Sequence, residues 1–365
     1  MKDGSRLLSI LLKVSEKAAN IARACRQNDA LFKLLVQEKS AEEKNPRFFQ
    51  DFKTLADVLI QETIRHDIEV EFPELAKMVQ GEENNTFSNV FGESIIVEVC
   101  SDVKETTQLL VKVMGTDVAT AKLLATEVHK DIKVLDVPLA GEIPTDFDIN
   151  VDELAIWIDP IDSTADYIHG GEVVDGQSGL HMSGLRCVTV LIGAYVKSTG
   201  LPVIGVINQP FYENVNTRWQ GTCYWGFIEN SIGRCSIEKE FQETNMIVLS
   251  KSEDVNIINK LLKGGFTVIE APGAGYKILS VALGDVDAYI LSKGSTYKWD
   301  TCGPQALLRS LNGGIIDFQL TSMHPDSDDL NIKYSSTATS FSNSGGLIAY
   351  RNRETLDRLK RIFCE

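Results

Sequence analysis

A regular alternation of short apolar runs and longer amphipathic runs in the C-terminal third of the chain is the feature that most constrains the fold. The short runs predict strands, and the segments between them predict helices. The predicted order is strand 246–249, helix 255–263, strand 266–269, helix 276–283, strand 288–291, helix 304–311 and strand 315–318. This order is typical of an α/β layer.

The preceding two thirds of the chain have a less regular pattern. Apolar residues recur at helical spacing from residue 4 to about residue 70, which predicts two or three long helices with a break near Asn45 and Pro46. Further predicted elements are a strand near 95–99, helices within 103–130, a buried strand at 154–158, a hairpin from 187–196 and 203–208, and a strand at 223–227. We therefore divide the chain near residue 238 into an α+β half (1–238) and an α/β half (239–365). The Ser- and Asp-rich stretch 322–344 predicts a mobile loop.

The overall charge narrows the classes of partner. The 365 residues carry a formal net charge of −15, which disfavours nonspecific attraction to nucleic acid and to anionic lipid. A polyanionic substrate would then need local help from metal ions or from a basic pocket. We expect neither nucleic acid nor a membrane as a partner.

Cysteine usage and hydropathy indicate the compartment. The seven cysteines form no C-x-x-C pair and no metal-ligand pattern with the five histidines, so we interpret them as reduced thiols. The apolar run near the N-terminus is interrupted by Lys13 and is typical of an amphipathic helix, and no run reaches the ~18 apolar residues of a membrane span. We expect a cytoplasmic protein.

The stretch WIDPIDST ends a predicted buried strand on two carboxylates. Pro160 restricts Asp159 to extended geometry. Ser163 and Thr164 have the composition of a helix start, where free backbone N–H groups and the positive end of the helix dipole lie. Carboxylates beside a helix N-terminus can hold a cation and an anion together, which suits a metal ion paired with a phosphate. The alternative is that Asp162 only caps the helix.

Other acidic side chains stand on separate predicted elements. Glu82 and Glu83 follow a glycine, and Asp57 lies on a helix of mixed polarity. Asp300 follows Trp299 at the start of an apolar helix. Singly, each has an ordinary explanation as a solvated turn, a surface carboxylate or a helix cap. Together they offer hard oxygen ligands with no competing group of soft ligands, which favours Mg²⁺ over zinc or iron.

The stretch APGAGYK precedes a predicted helix but matches neither the phosphate loop of nucleotide-binding proteins nor the dinucleotide-binding glycine pattern. Gly273, Ala274 and Lys277 could still hold a second phosphate through backbone N–H groups and an ammonium. The alternative is a tight turn with an exposed lysine. No G-x-S-x-G motif is present and the histidines are scattered, so a serine or histidine hydrolase is not supported.

The segments GEE, WIDPIDST and WDTCGPQALL, in this order, resemble the signatures of the lithium-sensitive, magnesium-dependent phosphatase superfamily. Its members include the inositol monophosphatases and the bisphosphate nucleotidases. The longer stretches GEENNTFSN, CVTVLIGAYVKSTGLPVIGVINQP, GTCYWG and GAGYK are most similar to the inositol polyphosphate 1-phosphatase family. The resemblance covers roughly residues 52–351, with interruptions at about 228–245 and 319–343. It implies a layered αβαβα sandwich of the inositol monophosphatase and fructose-1,6-bisphosphatase type, with the site between the two halves.

The resemblance also implies which residues hold the metal. One Mg²⁺ would lie at Glu82, Asp159 and the backbone carbonyl of Ile161. A second would lie at Asp159, Asp162 and Asp300, with Glu83 and Asp57 close to the cluster. For two or three ions, the implied ligands are Asp57, Glu82, Glu83, Asp159, Ile161, Asp162 and Asp300.

Catalytic and substrate-binding roles follow from the same resemblance. Glu82 and Thr164 would orient the attacking water, and Asp57 would act beside the metal ions. The implied substrate-binding residues are Asp162, Ser163 and Thr164 for the phosphate that leaves, and Gly273, Ala274, Lys277, Ser252 and Ser295 for the phosphate that stays.

The implied activity is Mg²⁺-dependent removal of the 1-phosphate from inositol 1,4-bisphosphate and inositol 1,3,4-trisphosphate, by a monomer that Li⁺ inhibits. The alternatives are a 3′(2′),5′-bisphosphate nucleotidase and a catalytically silent metal-binding scaffold. Two departures from the family pattern bear on this. Glu253 and Asp254 stand where a basic residue is expected, which affects the substrate range. Pro304 replaces a small residue, and we expect it to be tolerated in the first helical turn, leaving Asp300 in place.

Overall fold

The computed structural model describes residues 2–27, 32, 35–39, 52–88, 91–115, 117–139, 142–327 and 329–364. The predicted break near Asn45 and Pro46 lies outside them. The helices are α1 (Asp3–Cys25), α2 (Leu55–Glu71), α3 (Pro73–Ala76), α4 (Val103–Met114), α5 (Val118–Val128), α6 (Thr164–His169), α7 (Val255–Lys263), α8 (Ala274–Leu283), α9 (Lys298–Ser310), α10 (Phe318–Met323) and α11 (Arg353–Cys364). Within this part of the chain, no helix combines the length and the apolar character needed to cross a bilayer.

The strands are short at the start of the chain and longest in its middle. They are β1 (Val36–Glu38), β2 (Phe52–Thr54), β3 (Val79–Gly81), β4 (Thr86–Ser88), β5 (Ser94–Ile96), β6 (Leu154–Asp162), β7 (Val173–Val174), β8 (His181–Ser183), β9 (Thr189–Val196), β10 (Pro202–Val215), β11 (Arg218–Glu229), β12 (Ile232–Cys235), β13 (Met246–Leu249), β14 (Thr267–Glu270), β15 (Ala288–Leu291), β16 (Gly314–Ile316) and β17 (Leu347–Tyr350).

Two larger sheets organise these strands. The first has the order β12-β11-β10-β9-β6-β3, and the second has the order β14-β13-β15-β17-β16. In the first sheet β3 runs parallel to β6, and in the second β13 runs parallel to both β14 and β15. All strands of the first sheet end by Cys235, and those of the second begin at Met246.

Alternate residues of each central strand face two different cores, as the period of a strand requires. In β6, Ile156 faces a core that it shares with α1 and α2, whereas Trp157 faces the core between the two sheets. In β15, Tyr289 faces the core between the sheets, and Ile290 faces a third core with α7 and α11. Helices α8 and α9 lie in the middle core. The chain therefore forms the five layers, αβαβα, that the resemblance implies.

Helix α9 lies directly on the six-stranded sheet because glycines face each other across the contact. A Cβ atom at Gly193 would lie 2.3 Å from the nitrogen of Gly303, and one at Gly205 would lie 2.1 Å from its oxygen. No side chain fits in either place, so helix and sheet meet backbone to backbone. Since α9 carries Asp300 near its start, this contact fixes Asp300 relative to β6.

Most predicted elements are confirmed with bounds that shift by a few residues, and several, such as Met246–Leu249 and Val255–Lys263, match throughout. The main difference is α9, which begins at Lys298 rather than at Pro304. Pro304 therefore lies inside the helix and not in its first turn, so that expectation is wrong. Proline has no N–H, so it cannot donate to the carbonyl of Asp300 one turn earlier.

The stretch expected to be a mobile loop is irregular but anchored. In the part of it that the structure describes, Tyr334 is 2% exposed and Asn343 is 4% exposed. Its backbone also bridges to Ile316 and Tyr297. Side chains this well buried are held by their surroundings, so mobility does not describe these positions.

Candidate active site

A β-bulge places the two carboxylates of WIDPIDST. Asp159 lies opposite Leu191 of β9 and Asp162 lies opposite Thr189, so β6 has one residue more than β9 between these two pairs. Residues three apart in a regular strand face opposite sides, and the bulge is what lets both carboxylates reach one pocket. Pro160 is tolerated here because a bulge does not need its missing N–H.

The backbone of the bulge is oriented by two local hydrogen bonds. The N–H of Ile161 donates to Oδ1 of Asp159 at 3.1 Å, and the hydroxyl of Thr164 donates to the carbonyl of Ile161 at 3.1 Å. The side chain of Ile161 is fully buried. Its carbonyl therefore lies beside the site while its side chain contributes to the core.

Three carboxylates converge at this point. One oxygen from each of Asp159, Asp162 and Asp300 lies within 4.8 Å of the others, and Asp159 is only 1% exposed. Burial raises the pKa of all three, and the charges of neighbouring carboxylates raise the pKa of Asp159 and Asp300 further. Ionising all three is costly without a cation, because like charges repel strongly when shielded from water.

Asp162 does not cap the helix that follows it. The residue at that position is Ser163, which has a φ of 71° and makes no side-chain cap bond. Asp162 instead accepts the N–H groups of Ala274 and Gly275 at 3.1 and 2.9 Å and the hydroxyl of Thr189 at 3.1 Å. The carboxylate therefore ties the bulge to the start of α8, and the interpretation of Asp162 as a simple cap is wrong.

Asp300 reaches the cluster from the other half of the chain. It is the third residue of α9, and its Oδ2 accepts the N–H of Tyr297 at 2.5 Å in a capping interaction. The sequence correctly places Asp300 at a helix start. The helix start itself lies against β6, so capping and clustering do not exclude each other.

Glu82 and Glu83 arrive beside the bulge because β3 runs parallel to β6 and ends at the same edge. The N–H of Glu82 donates to the carbonyl of Ile158 at 3.3 Å. Gln61 of α2 accepts the N–H of Glu83 at 3.0 Å and donates to its carbonyl. A Cβ atom at Gly81 would lie 2.0 Å from Oε1 of Gln61. Only glycine at this position allows the acidic pair to be fixed to α2.

Asp57 lies near the start of α2 in a capping box with Thr54. Its Oδ2 accepts the N–H and the hydroxyl of Thr54 at 2.7 and 2.5 Å. Its Oδ1 is buried and has no hydrogen-bond partner in the described part of the chain. Burial, partly opposed by these bonds, raises the pKa of Asp57 to about 6. A buried carboxylate oxygen without a donor suits a cation as its partner.

Lys39 supplies a positive charge next to the glutamates. Its Nζ lies 2.5 Å from Oε1 of Glu82 and 2.7 Å from Oε1 of Glu83. Burial lowers the pKa of Lys39, but the two carboxylates raise it more, so the net shift is upward. Burial and the charge of Glu82 raise the pKa of Glu83 to about 8, with Lys39 opposing them.

The residues present fit divalent oxygen-loving cations. The group that the structure describes consists of carboxylates from several separate elements, one of them with an orphaned oxygen, near the backbone carbonyl of Ile161. No thiolate or imidazole belongs to the cluster of Asp159, Asp162 and Asp300. A cluster of negatively charged, hard oxygen ligands is the donor set that Mg²⁺ prefers.

The loop before α8 lies directly against the bulge. Gly273 has a φ of 66°, and a Cβ atom there would lie 2.9 Å from Oδ2 of Asp162 and 3.3 Å from Cβ of Ser163. Lys277 is only 4% exposed, and its Nζ donates to the carbonyl of Ala271 at 3.1 Å. The interpretation of this stretch as a turn with an exposed lysine is therefore wrong.

The remaining phosphate-binding candidates follow the carboxyl ends of two parallel strands in the five-stranded sheet. Ser252 follows β13 and Ser295 follows β15, and these two strands are parallel. The acidic residues that depart from the family pattern are bound elsewhere: Glu253 accepts the N–H of Ser292 at 2.9 Å, and Asp254 caps α7. Both carboxylates are acceptors bound to backbone N–H groups, so neither supplies the positive charge of the expected basic residue.

Four residues that support the carboxylates were missed by sequence reasoning: Lys39, Thr54, Gln61 and Thr189. Thr54 could have been found, because T-x-x-D before a helix is a capping-box pattern. The other three make contacts between distant parts of the chain, and nothing in their neighbourhood of sequence marks them.

A model of the Inositol monophosphatase family matches residues 7–356. The chain belongs to the inositol monophosphatase family. Among similar members, inositol polyphosphate 1-phosphatase of Mus musculus is 45% identical over 97% of this chain and 96% of that protein. The protein of the same name from Homo sapiens is 42% identical over the same shares of the two chains.

These matches identify the chain as a phosphatase of the inositol monophosphatase family. The 3′(2′),5′-bisphosphate nucleotidase 1 of Mus musculus is a more distant relative, at 27% identity over 56% of this chain and 60% of that protein. Solved structures show the same fold. The suhB protein from Bartonella henselae superposes with a TM-score of 0.53 at 14% identity, covering 98% of both chains. An inositol monophosphatase from Zymomonas mobilis gives 0.52 at 13% identity, covering 100% of this chain and 99% of that one.

Proposed function

We propose that the chain removes the 1-phosphate from inositol 1,4-bisphosphate and inositol 1,3,4-trisphosphate in a Mg²⁺-dependent reaction. The observation that carries the proposal is the convergence of Asp159, Asp162 and Asp300 within 4.8 Å. The names and the high identity of the inositol polyphosphate 1-phosphatases support the choice of substrate. A solved family member described as complexed with Mg²⁺ and phosphate supports the choice of metal.

The proposed metal ligands are the carboxylates of both groups. Glu82 and Asp159 would hold one ion with the carbonyl of Ile161, and Asp159 would share a second with Asp162 and Asp300. Glu83 and Asp57 lie beside them, and the orphaned oxygen of Asp57 is free to take part. Bound ions would neutralise the phosphate, acidify a water molecule and stabilise the attacking and leaving oxygens.

The chain's own residues would orient the reactants. The hydroxyl of Thr164, which now donates to the carbonyl of Ile161, and the carboxylate of Glu82 would position the attacking water, beside Asp57. Ser163 and Thr164, with Asp162, would contact the phosphate that leaves. Such positioning lowers the barrier because the water and the phosphorus are held in line.

The retained phosphate would lie at the edge formed by the loops after β13, β14 and β15. Gly273 and the buried Lys277 are its main contacts, with Ser252 and Ser295 at the rim. Ala274 would join them only if its N–H exchanged the carboxylate of Asp162 for a phosphate oxygen. An acidic protein can accept such a polyanion because its carboxylates first collect cations.

The test is phosphate release from inositol 1,4-bisphosphate by the purified protein, with and without Mg²⁺ and Li⁺. We expect release that needs Mg²⁺ and that Li⁺ inhibits, because a small cation can occupy an oxygen-lined position. Adenosine 3′,5′-bisphosphate is the matched control substrate. Faster hydrolysis of the nucleotide would favour the nucleotidase alternative, and release without Mg²⁺ would contradict the mechanism.

We also propose that the enzyme acts as a monomer in the cytoplasm. All the proposed ligands come from one chain, and all seven cysteines are free thiols. Light scattering of the active protein tests the first point, and a dimer that loses activity on dilution would contradict it.

A further inference from the structure

Residues 341–343, which we call the strap, lie across the start of the helix that carries Asp300. The N–H of Lys298 donates to the carbonyl of Phe341 at 2.9 Å, and the N–H of Asn343 donates to the carbonyl of Thr296 at 2.8 Å. These bonds make a short antiparallel pairing between the strap and the first residues of α9. The strap belongs to the irregular stretch to which the proposed function assigns no role.

Asn343 binds the capping region of α9 with its side chain. Its Nδ2 donates to the carbonyl of Tyr297 at 2.9 Å and lies 3.2 and 3.3 Å from the hydroxyls of Thr296 and Thr301. Tyr297 is the residue whose N–H donates to Asp300. One buried amide therefore holds the backbone on which the metal-ligating carboxylate depends.

Phe341 joins the strap to the strand that carries the other two aspartates. Its ring centre lies 4.9 Å from that of Trp157, which is 1% exposed and stands two residues before Asp159. It also lies 6.4 Å from the ring centre of Trp299, the residue before Asp300. The strap thus contacts both of the elements whose carboxylates must meet.

Tyr334, earlier in the same irregular stretch, supports the helix from the side. Its hydroxyl lies 2.6 Å from Oε1 of Gln305 and 3.0 Å from the hydroxyl of Thr301. Its N–H donates to the carbonyl of Gly200 at 2.9 Å. The first turns of α9 are therefore held by a polar network, and not only by apolar packing.

We infer that Asn343 and Phe341 are positioning residues that set the distance between Asp300 and the Asp159–Asp162 bulge. They touch neither substrate nor metal and act only through the start of α9 and through Trp157. The ligands of a metal site must be placed to a few tenths of an ångström. Loss of such support therefore weakens metal binding more than it lowers the stability of the fold. This inference rests on the proposed Mg²⁺ site.

The test measures Mg²⁺ affinity directly, by calorimetric titration of metal-free protein with MgCl₂. Asn343→Ala should raise the Mg²⁺ dissociation constant by about 10-fold or more. At saturating Mg²⁺ the KM for inositol 1,4-bisphosphate should stay within about twofold, because no substrate contact is removed. Phe341→Ala should act like Asn343→Ala, and Phe341→Tyr, which keeps the ring, should restore most of the affinity.

Leu359→Ala is the matched control. Leu359 is fully buried in α11, on the far side of the five-stranded sheet, so its loss destabilises the fold without touching the strap. Unchanged Mg²⁺ affinity in this variant, with weakened affinity in Asn343→Ala, supports the inference. Equal weakening in both, or wild-type affinity in folded Asn343→Ala, would overturn it.

Tyr334→Phe keeps the inference testable if Asn343→Ala does not fold, because it removes one hydroxyl and keeps the packing. It should raise the dissociation constant about threefold, the smaller effect expected of a more distant support; wild-type affinity would count against the inference. Wild-type protein that binds no Mg²⁺ at all would overturn the proposed function, and this inference with it. If wild-type protein binds Mg²⁺ and the variants give the contradicting results above, the inference about the strap fails while the proposed function stands.

Discussion

The two groups of carboxylates at the site differ in how their charge is balanced. Asp159, Asp162 and Asp300 form a buried cluster, with oxygens within 4.8 Å of one another. Glu82 and Glu83 stand beside them with the ammonium of Lys39 at 2.5 and 2.7 Å. The first group is fixed by a bulge and a helix start, and we propose that a bound metal ion balances its charge. The second group already has the ammonium of Lys39 beside it. Mutations in the two groups of carboxylates are therefore expected to have different effects.

The largest effect that distinguishes the groups is expected from Asp159→Asn. Loss of the proposed bridging ligand should lower kcat by about 1,000-fold or more, because several kcal/mol of charge stabilisation are lost. Without metal, the same change removes one of three repelling charges. The free energy of unfolding in EDTA should therefore rise by roughly 1–3 kcal/mol. Urea unfolding checks this, and a less stable variant would show that the cluster is not strained by its charge.

The opposite sign is expected from Lys39→Met in the second group. Removing the ammonium leaves Glu82 and Glu83 without their buried partner, which should lower the free energy of unfolding in EDTA by about 3 kcal/mol. Lys77→Met is the control, because Lys77 pairs with Glu74 on the surface and its loss should cost less than about 0.5 kcal/mol. An equal loss of stability in the two variants would mean that the buried ion pairs of Lys39 contribute no more than the exposed pair of Lys77.

The pH dependence of the metal-free protein tests the charge balance around Glu83 without mutation. Burial and neighbouring charge raise the pKa of Glu83 to about 8, from an ordinary value of 4.5. Between these values the unfolded chain has lost this proton and the folded chain keeps it, so stability should fall as pH rises. We expect a loss of about 2 kcal/mol between pH 6 and pH 8, since one pKa unit corresponds to about 1.4 kcal/mol.

Mg²⁺ should remove this dependence, because the metal binds the ionised carboxylates and displaces their protons. Unfolding in urea at several pH values, with EDTA or with excess MgCl₂, measures both effects. Stability that rises with pH in EDTA would contradict the upward shift.

The smallest expected effect is that of Thr189→Val, which removes one hydrogen bond to Asp162. The hydroxyl lies 3.1 Å from Oδ2 of Asp162, and its loss should weaken Mg²⁺ binding by only a few-fold, or about 1 kcal/mol. Thr63→Val is matched to it, because Thr63 is fully buried and bonds only to a helix carbonyl. Calorimetry should show weaker Mg²⁺ binding for Thr189→Val and unchanged Mg²⁺ binding for Thr63→Val.

Much of the fold could be predicted because it follows from local patterns. The alternation after residue 246 predicted strands and helices to within two residues, apart from the start of α9, since each apolar run is short and bounded by turn formers. The start of α9 was placed too late because Pro304 suggested a first turn. The helix tolerates proline farther inside, where packing of Gly303 on the sheet outweighs one missing hydrogen bond.

The candidate site could be predicted only as a list of residues. The resemblance to known phosphatase motifs named Asp159, Asp162 and Asp300, and the structure brings these three together. Their supports stayed hidden. Lys39 and Gln61 contact the site but lie far from Asp159, Asp162 and Asp300 in the sequence. The metal-binding roles of the three aspartates stay predictions.

By itself, the sequence determined the order of the elements and the supply of oxygen ligands, because strand and helix periods and capping patterns are properties of neighbouring residues. Only the tertiary structure decided what those ligands face. The start of α8 binds Asp162, for which a simple helix cap was the alternative, and Lys277 is buried where an exposed lysine was the alternative. Charge balance and burial depend on contacts between segments distant in sequence, and these exist only after the five layers have packed.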